Sequence, residues 1–211
     1  MCRDMPCFRY NYGDPGMDIK KSWNDKMWII TIVYFSIGLF NIMFAWFGMI
    51  CFLAPMLMSI FGKDKAFCNI YCGRGQLFTL LGHDRRLSLN KELPSFLKSK
   101  WFRYGFLLFF MVMFVNMLFA TWAVFSGSGS LNESLKLLWT FDLPWRWANR
   151  AGESFPLWTV QFAYGFYSLM LTSLIIGLLS MLIFKPRSWC VYCPIGTATQ
   201  MICKIREGER L

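Results

Sequence analysis

The sequence predicts an all-α integral membrane protein: three transmembrane helices, or four if the first apolar block folds back on itself, carrying two cysteine-bearing cytoplasmic helix–turn repeats. Three observations carry this expectation. Hydrophobic residues make up 56% of the chain and aromatics 19%, and the charges are excluded from long blocks, as in membrane proteins. Three of those blocks exceed the roughly 20 apolar residues that span about 30 Å of hydrocarbon. Two short cysteine clusters, Cys68 with Cys72 and Cys190 with Cys193, follow apolar stretches and lie among arginine and lysine.

The blocks run Met27 to Phe61, Tyr104 to Phe125 and Trp158 to Phe184. At about 1.5 Å per residue the first would reach some 50 Å, too long for one upright helix. Its proline lacks a helical donor and clashes with the preceding turn, so one tilted span is expected to end near Cys51, with a break at Ala54–Pro55 and a short re-entrant or interfacial piece. A tight hairpin of two short spans is the alternative. The organisation expected is a polar segment at 1–26, a membrane domain at 27–203 with cysteine repeats at 67–82 and 189–204, and a basic tail at 204–211.

Charge placement orients the chain. Between the first two blocks lie Lys63, Lys65, Arg74, Arg85, Arg86, Lys91, Lys98 and Lys100 against Asp64, Asp84 and Glu92; the tail holds Lys185, Arg187, Lys204, Arg206 and Arg210 against two glutamates. Between the last two blocks, Lys136, Arg146 and Arg150 balance Glu133, Asp142 and Glu153. The positive-inside rule therefore places both cysteine segments in the cytoplasm. Two crossings separate them, so they share a side however the first block is drawn. The N-terminal segment mixes both signs and lacks the pattern of a cleavable signal. The net charge of +10 reads first as topology, then as affinity for anionic lipid or an acidic partner.

The cysteine segments repeat one another. FCNIYCGRGQLFTLLG (67–82) and WCVYCPIGTATQMICK (189–204) each place tyrosine before the second cysteine and glycine three residues after it. A C-x-x-x-C pair on a helix sets both thiols on one face about 5 to 6 Å apart, and C-x-x-C at a turn does much the same. Each pair can hold neighbouring irons of one cluster. Cytoplasmic thiols stay reduced, which disfavours disulfides. Cys68, Cys72, Cys190 and Cys193 are thus the candidate ligands of an iron–sulfur cluster, most simply 4Fe-4S, with a four-cysteine zinc site as the alternative. Cys203 is a spare ligand or a cluster neighbour, Cys51 reads as packing, and Cys2 and Cys7 fit pairing, metal or lipid attachment equally.

The pattern aromatic-C-x-x-x-C-P-x-G leading into an apolar helix resembles the repeat of polyferredoxin-like membrane iron–sulfur proteins. These include the membrane subunits serving periplasmic nitrate reductase, the nitrous-oxide-reductase regulator, methylamine-utilisation membrane proteins and cbb-type oxidase assembly factors. LGHDRRLSLNKELPSFLKSKWFRYGFLLFF is similar to the stretch after the first repeat in those proteins, and the resemblance covers Cys51 to Cys203. It implies an electron-transfer subunit of the prokaryotic cytoplasmic membrane rather than a stand-alone enzyme, with the same four cysteines in the motif positions. This chain has Gly73 where proline is usual and C-x-x-C in its second copy. It has no C-x-x-C-x-x-C-x-x-x-C-P run, so the expected partners are other subunits of a membrane redox complex that bear a haem, flavin or second cluster. A redox-regulatory or cofactor-assembly protein is the competing function, and a zinc-stapled structural subunit a third.

Other cofactors lack residues. Bis-histidine haem needs a second histidine beside His83. Met56 and Met58 lie in an apolar run as ordinary filler rather than copper ligands. Neither a G-x-G-x-x-G nor a G-x-x-x-x-G-K-[ST] loop occurs, and no nucleic-acid partner is expected; Gly73 and Gly75 fit close backbone approach to cluster sulfurs. In the non-cytoplasmic segment, SGSGS reads as a flexible break, and Ser130 with Glu133 as a capping box for a short helix presenting Leu131, Leu135 and Leu138. Trp139, Trp145 and Trp147 read as an interfacial belt, the alternative being a quinone pocket or docking face. Asn41 and Asn116, within spans, are expected to hydrogen-bond between helices.

Overall fold

The structure, a computed structural model, describes residues 26–61, 71–137, 141–149 and 155–206. The elements in order are α1 (Met27–Phe40), a 3-10 turn (Ile42–Phe47), α2 (Gly48–Phe61), α3 (Gly73–Thr79) running into a π-helical turn (Leu80–Asp84), α4 (Ser95–Lys98), α5 (Lys100–Phe125), β1 (Ser134–Leu137), β2 (Phe141–Pro144), a 3-10 turn (Arg146–Ala148), α6 (Leu157–Ile183), α7 (Trp189–Tyr192) and α8 (Pro194–Arg206). Among the described residues three helical stretches are long and apolar enough to cross a membrane: Ile42–Phe61, Lys100–Phe125 and Leu157–Ile183. α1 is apolar but has 14 residues, roughly 21 Å of helix.

The first block breaks at Asn41, not at Ala54–Pro55. Asn41 is extended (φ −144°, ψ 110°), and its Oδ1 accepts from the Met43 N–H at 3.1 Å, so its amide caps the following turn instead of bridging helices. Pro55 sits inside a continuous α2. It supplies no N–H to the carbonyl one turn earlier, yet the helix runs on through it, and Ser59 donates to the Pro55 carbonyl at 2.8 Å. The span expected to end near Cys51 therefore continues to Phe61.

The chain forms two compact units. Ile32–Cys51 with Leu108–Ile176 make one; Met1–Thr31, Phe52–Leu107 and Gly177–Leu211 make the other. In the first, α6 supplies the core through Val160, Tyr164, Phe166, Tyr167 and Met170, all buried. The Tyr167 hydroxyl donates to the Phe35 carbonyl at 2.7 Å. Gly38 admits the Tyr167 ring, since a Cβ there would lie 2.3 Å from its Cε2.

Where a capping box and short helix were expected, the chain makes an antiparallel ribbon pairing Ser134 with Pro144 and Leu137 with Phe141. Glu133 accepts from the Asn149 side chain at 2.6 Å instead of capping, Leu135 is fully buried, and the Lys136 N–H donates to Ser168 Oγ at 3.0 Å. SGSGS is an ordered stop: the N–H groups of Ser128 and Gly129 return to the Ala123 carbonyl at 3.1 and 3.0 Å. Gly127 takes the left-handed φ of 76° there, which only glycine adopts without strain. Trp145 Nε1 donates to the Leu39 carbonyl at 3.0 Å and its ring packs 4.1 Å from exposed Trp147; Trp139 lies outside the described residues. The Asn116 side chain, expected to bond between helices, lines a cavity of about 460 Å³ with Met117, Ser130, Lys136, Gln161 and Leu169.

Candidate metal centre

The second unit gathers the cysteines. Cys72 is the residue that opens α3, extended at φ −69° and ψ 99°; Cys193 stands at the same place before α8, at φ −52° and ψ 127°. Proline at the first position of α8 fits because the N–H it lacks would have had no helical partner. In α3 that position is Gly73, and the reason is packing: a Cβ there would lie 2.5 Å from Thr31 Oγ1 and 2.6 Å from the Met27 carbonyl oxygen. The departure from the motif is thus local accommodation of α1.

The glycine three residues on has a common use in both repeats. A Cβ on Gly75 would meet Cys72 Sγ at 3.8 Å and Cys190 Sγ at 3.9 Å. The two sulfurs, one from each repeat, therefore lie no further apart than those two distances together. A Cβ on Gly196 would meet Cys193 Cβ and the Cys190 carbonyl, both at 3.8 Å. Burial pushes the Cys193 thiol up to about 11; the backbone N–H of Gly196, the guanidinium of Arg74 and the N–H of Ile195 pull the other way, while the neighbouring Cys72 adds to the rise. The structure thus brings Cys72, Cys190 and Cys193 together. Cys68 lies outside the described residues, as do Cys2 and Cys7, and nothing is described of the Cys203 side chain on α8. Cys51, expected to pack, is exposed on α2 and belongs to the other unit.

Aromatic and polar neighbours fix this arrangement. Trp189 and Tyr192 on α7 are buried, with Phe106 edge-on to both at 5.8 and 5.6 Å and Phe102 edge-on to Tyr192 at 5.6 Å. Gly177 leaves room for Phe78 and Trp189, since a Cβ there would lie 2.5 Å from Phe78 Cζ. The Tyr192 and Ser180 hydroxyls share a hydrogen bond. Arg187 Nε donates to Thr79 Oγ1 at 2.9 Å, joining the second repeat to α3, and Arg103 on α5 donates to Gln200 on α8. Sequence reasoning missed Phe102, Phe106, Gly177 and Ser180, because they lie in apolar spans where small and aromatic residues are ordinary.

The donor set suits a cluster. Four thiolates sharing one zinc at about 2.3 Å would lie within about 4 Å of one another, whereas a four-iron cluster takes one thiolate per iron and a wider frame. The N–H groups on the Cys193 sulfur, the α8 N-terminus and Arg74 all favour the negative charge that such a frame must carry.

A family model described as a 4Fe-4S binding domain matches residues 44–92 and 168–210. Each matched segment includes a membrane-helix end, a cysteine pair and the helix after it. Neither a curated protein nor a solved structure matches the chain. Fold and site thus define a helical protein with spans fit for a membrane and a thiol site similar to 4Fe-4S binding domains. The match supports an iron–sulfur cluster as the cofactor.

Proposed function

We propose that the protein is a membrane-bound electron-transfer subunit, relaying electrons between a cytoplasmic or membrane donor and a partner redox complex. The observation that carries this reading is the approach of Cys72 and Cys190, one from each repeat, to the same face of Gly75. When bound, the cluster would supply one-electron transfer at this point; Cys72, Cys190 and Cys193 would hold it, with Cys68 as the fourth motif ligand. Trp189, Tyr192, Phe102 and Phe106 pack the turn that carries Cys190 and Cys193. The amides of Ile195 and Gly196 and the charge of Arg74 set how readily an added electron is accepted.

In this reading the cysteine turns face the cytoplasm, where the basic residues beside them, Arg85 and Arg86, offer an acidic partner a docking surface. The partner brings the next redox centre, a haem, flavin or second cluster. The cavity at Asn116 supports a quinone as the membrane-borne carrier: its size is that of small-molecule sites, with apolar walls at Met117 and Leu169 and hydrogen-bonding groups at Asn116 and Lys136.

Anaerobic purification with metal analysis and electron paramagnetic resonance tests the relay reading. Brown protein holding about four irons, reducible by one electron and copurifying with a redox complex, is the expected result. A colourless zinc protein would replace it with the zinc-stapled subunit, and a cluster without a stoichiometric redox partner with the assembly or regulatory role.

A further inference from the structure

Three threonines in this chain show what a helical hydroxyl ordinarily does. Thr79 returns its hydroxyl to the Gly75 carbonyl at 2.9 Å, Thr121 to Met117 at 2.9 Å and Thr199 to Gly196 at 3.0 Å, the usual resort of threonine in a helix. Thr197 does not. It is 3% exposed, and its Oγ1 has no hydrogen-bond partner among the described residues, although the Cys193 carbonyl, which accepts from the Thr197 N–H at 2.9 Å, stands one turn back, where Thr79 and Thr121 return theirs. A buried hydroxyl left unpaired costs about 1–3 kcal/mol, so the position points to an acceptor that protein atoms do not supply. Thr197 lies four residues after Cys193, on the same helical face as that ligand, and directly follows Gly196, whose bare face meets Cys193 and Cys190. In the first repeat the matching position, four residues after Cys72, is also polar and is held by Gln76.

We propose that the Thr197 hydroxyl donates a hydrogen bond to a sulfur of the cluster or of its cysteine ligands, and so raises the reduction potential of the centre. The inference rests on the cluster reading given above. A hydrogen bond to sulfur withdraws negative charge, which stabilises the reduced, more negative state; the proton stays on oxygen.

The test is a redox titration monitored by electron paramagnetic resonance on full-length protein purified anaerobically, comparing wild type with Thr197→Val, Thr197→Ala and Thr197→Ser. Val and Ala should keep the cluster and shift its midpoint to lower potential, while Ser, which retains the hydroxyl, should stay near wild type. Loss of the cluster from Val and Ala but not from Ser would equally support the contact. Ser behaving as Ala does, whether in potential or in cluster content, overturns it. A wild-type protein without iron would instead sink the cluster reading itself.

Discussion

The Cys193 thiol holds its proton tightly in the cluster-free protein. With its thiol pushed up to about 11 from an ordinary 9.0, the metal-free protein keeps this sulfur neutral at physiological pH, and binding must displace the proton. The raised value has a definite sign: the neutral, buried thiol contributes stability that is fully present below pH 9 and is lost as pH rises through about 11. Alkylation of Cys193 in cluster-free protein should therefore be slow at pH 8 and should accelerate between pH 9 and 11; a rate at pH 8 equal to that of the denatured protein would contradict the burial. Once the cluster is in place, Cys72→Ser and Cys193→Ser should each abolish the same visible absorption while Cys51→Ser leaves it intact. Independent half-sized losses would mean one centre per repeat. The approach of Cys72 to Cys190 was legible in the repeated spacing of their thiols. Thr197 was not, since a threonine in a polar helix looks ordinary until its hydroxyl is found without an acceptor.

The helices that carry these residues are held by shape as much as by polarity. Gly177→Leu should displace Phe78 and Trp189, whose atoms a Cβ alone would meet at 2.5 and 3.3 Å, and overpacking of this kind costs about 1–3 kcal/mol. A lower unfolding midpoint with reduced cluster content is the expected readout, and a neutral result would show that α7 can shift freely. Gly73→Pro restores the usual motif residue, yet here it should destabilise, because its ring would fall on Thr31 and the Met27 carbonyl. The apolar blocks announced the long helices through length alone. What composition could not rank was the competition within them: Pro55 is the stronger helix breaker in water, but Asn41 offers the backbone a substitute acceptor and so takes the break. The ribbon at Ser134–Leu137 and Phe141–Pro144 escaped for a similar reason. Leu131, Leu135 and Leu138 fit a helical face, and the choice of strand was made by Ser168 and by the opposite strand, neither of them local.

At the scale of the whole chain, the two matched segments are separated by α5 and by the ribbon, so Cys72 meets Cys190 only when the last helices have been made. Reporters fused near Arg86 and after Arg210 should both be cytoplasmic and one near Ser128 should lie across the membrane; Arg86 and Arg210 on different sides would break the proposed topology. The approach of Cys72 and Cys190 to Gly75 also bears on how long the protein survives. If one cluster holds both turns, as proposed, it acts as a removable cross-link between segments distant in sequence, and cross-links that close long loops are those whose loss frees most chain entropy. Oxygen damage to the cluster would unfasten α7 and α8 from α3 and expose Trp189 and Tyr192, surfaces that proteases and quality-control machinery read as unfolded. Cells starved of iron or exposed to oxygen should then clear this chain quickly, so that its abundance tracks iron supply without any change in its synthesis.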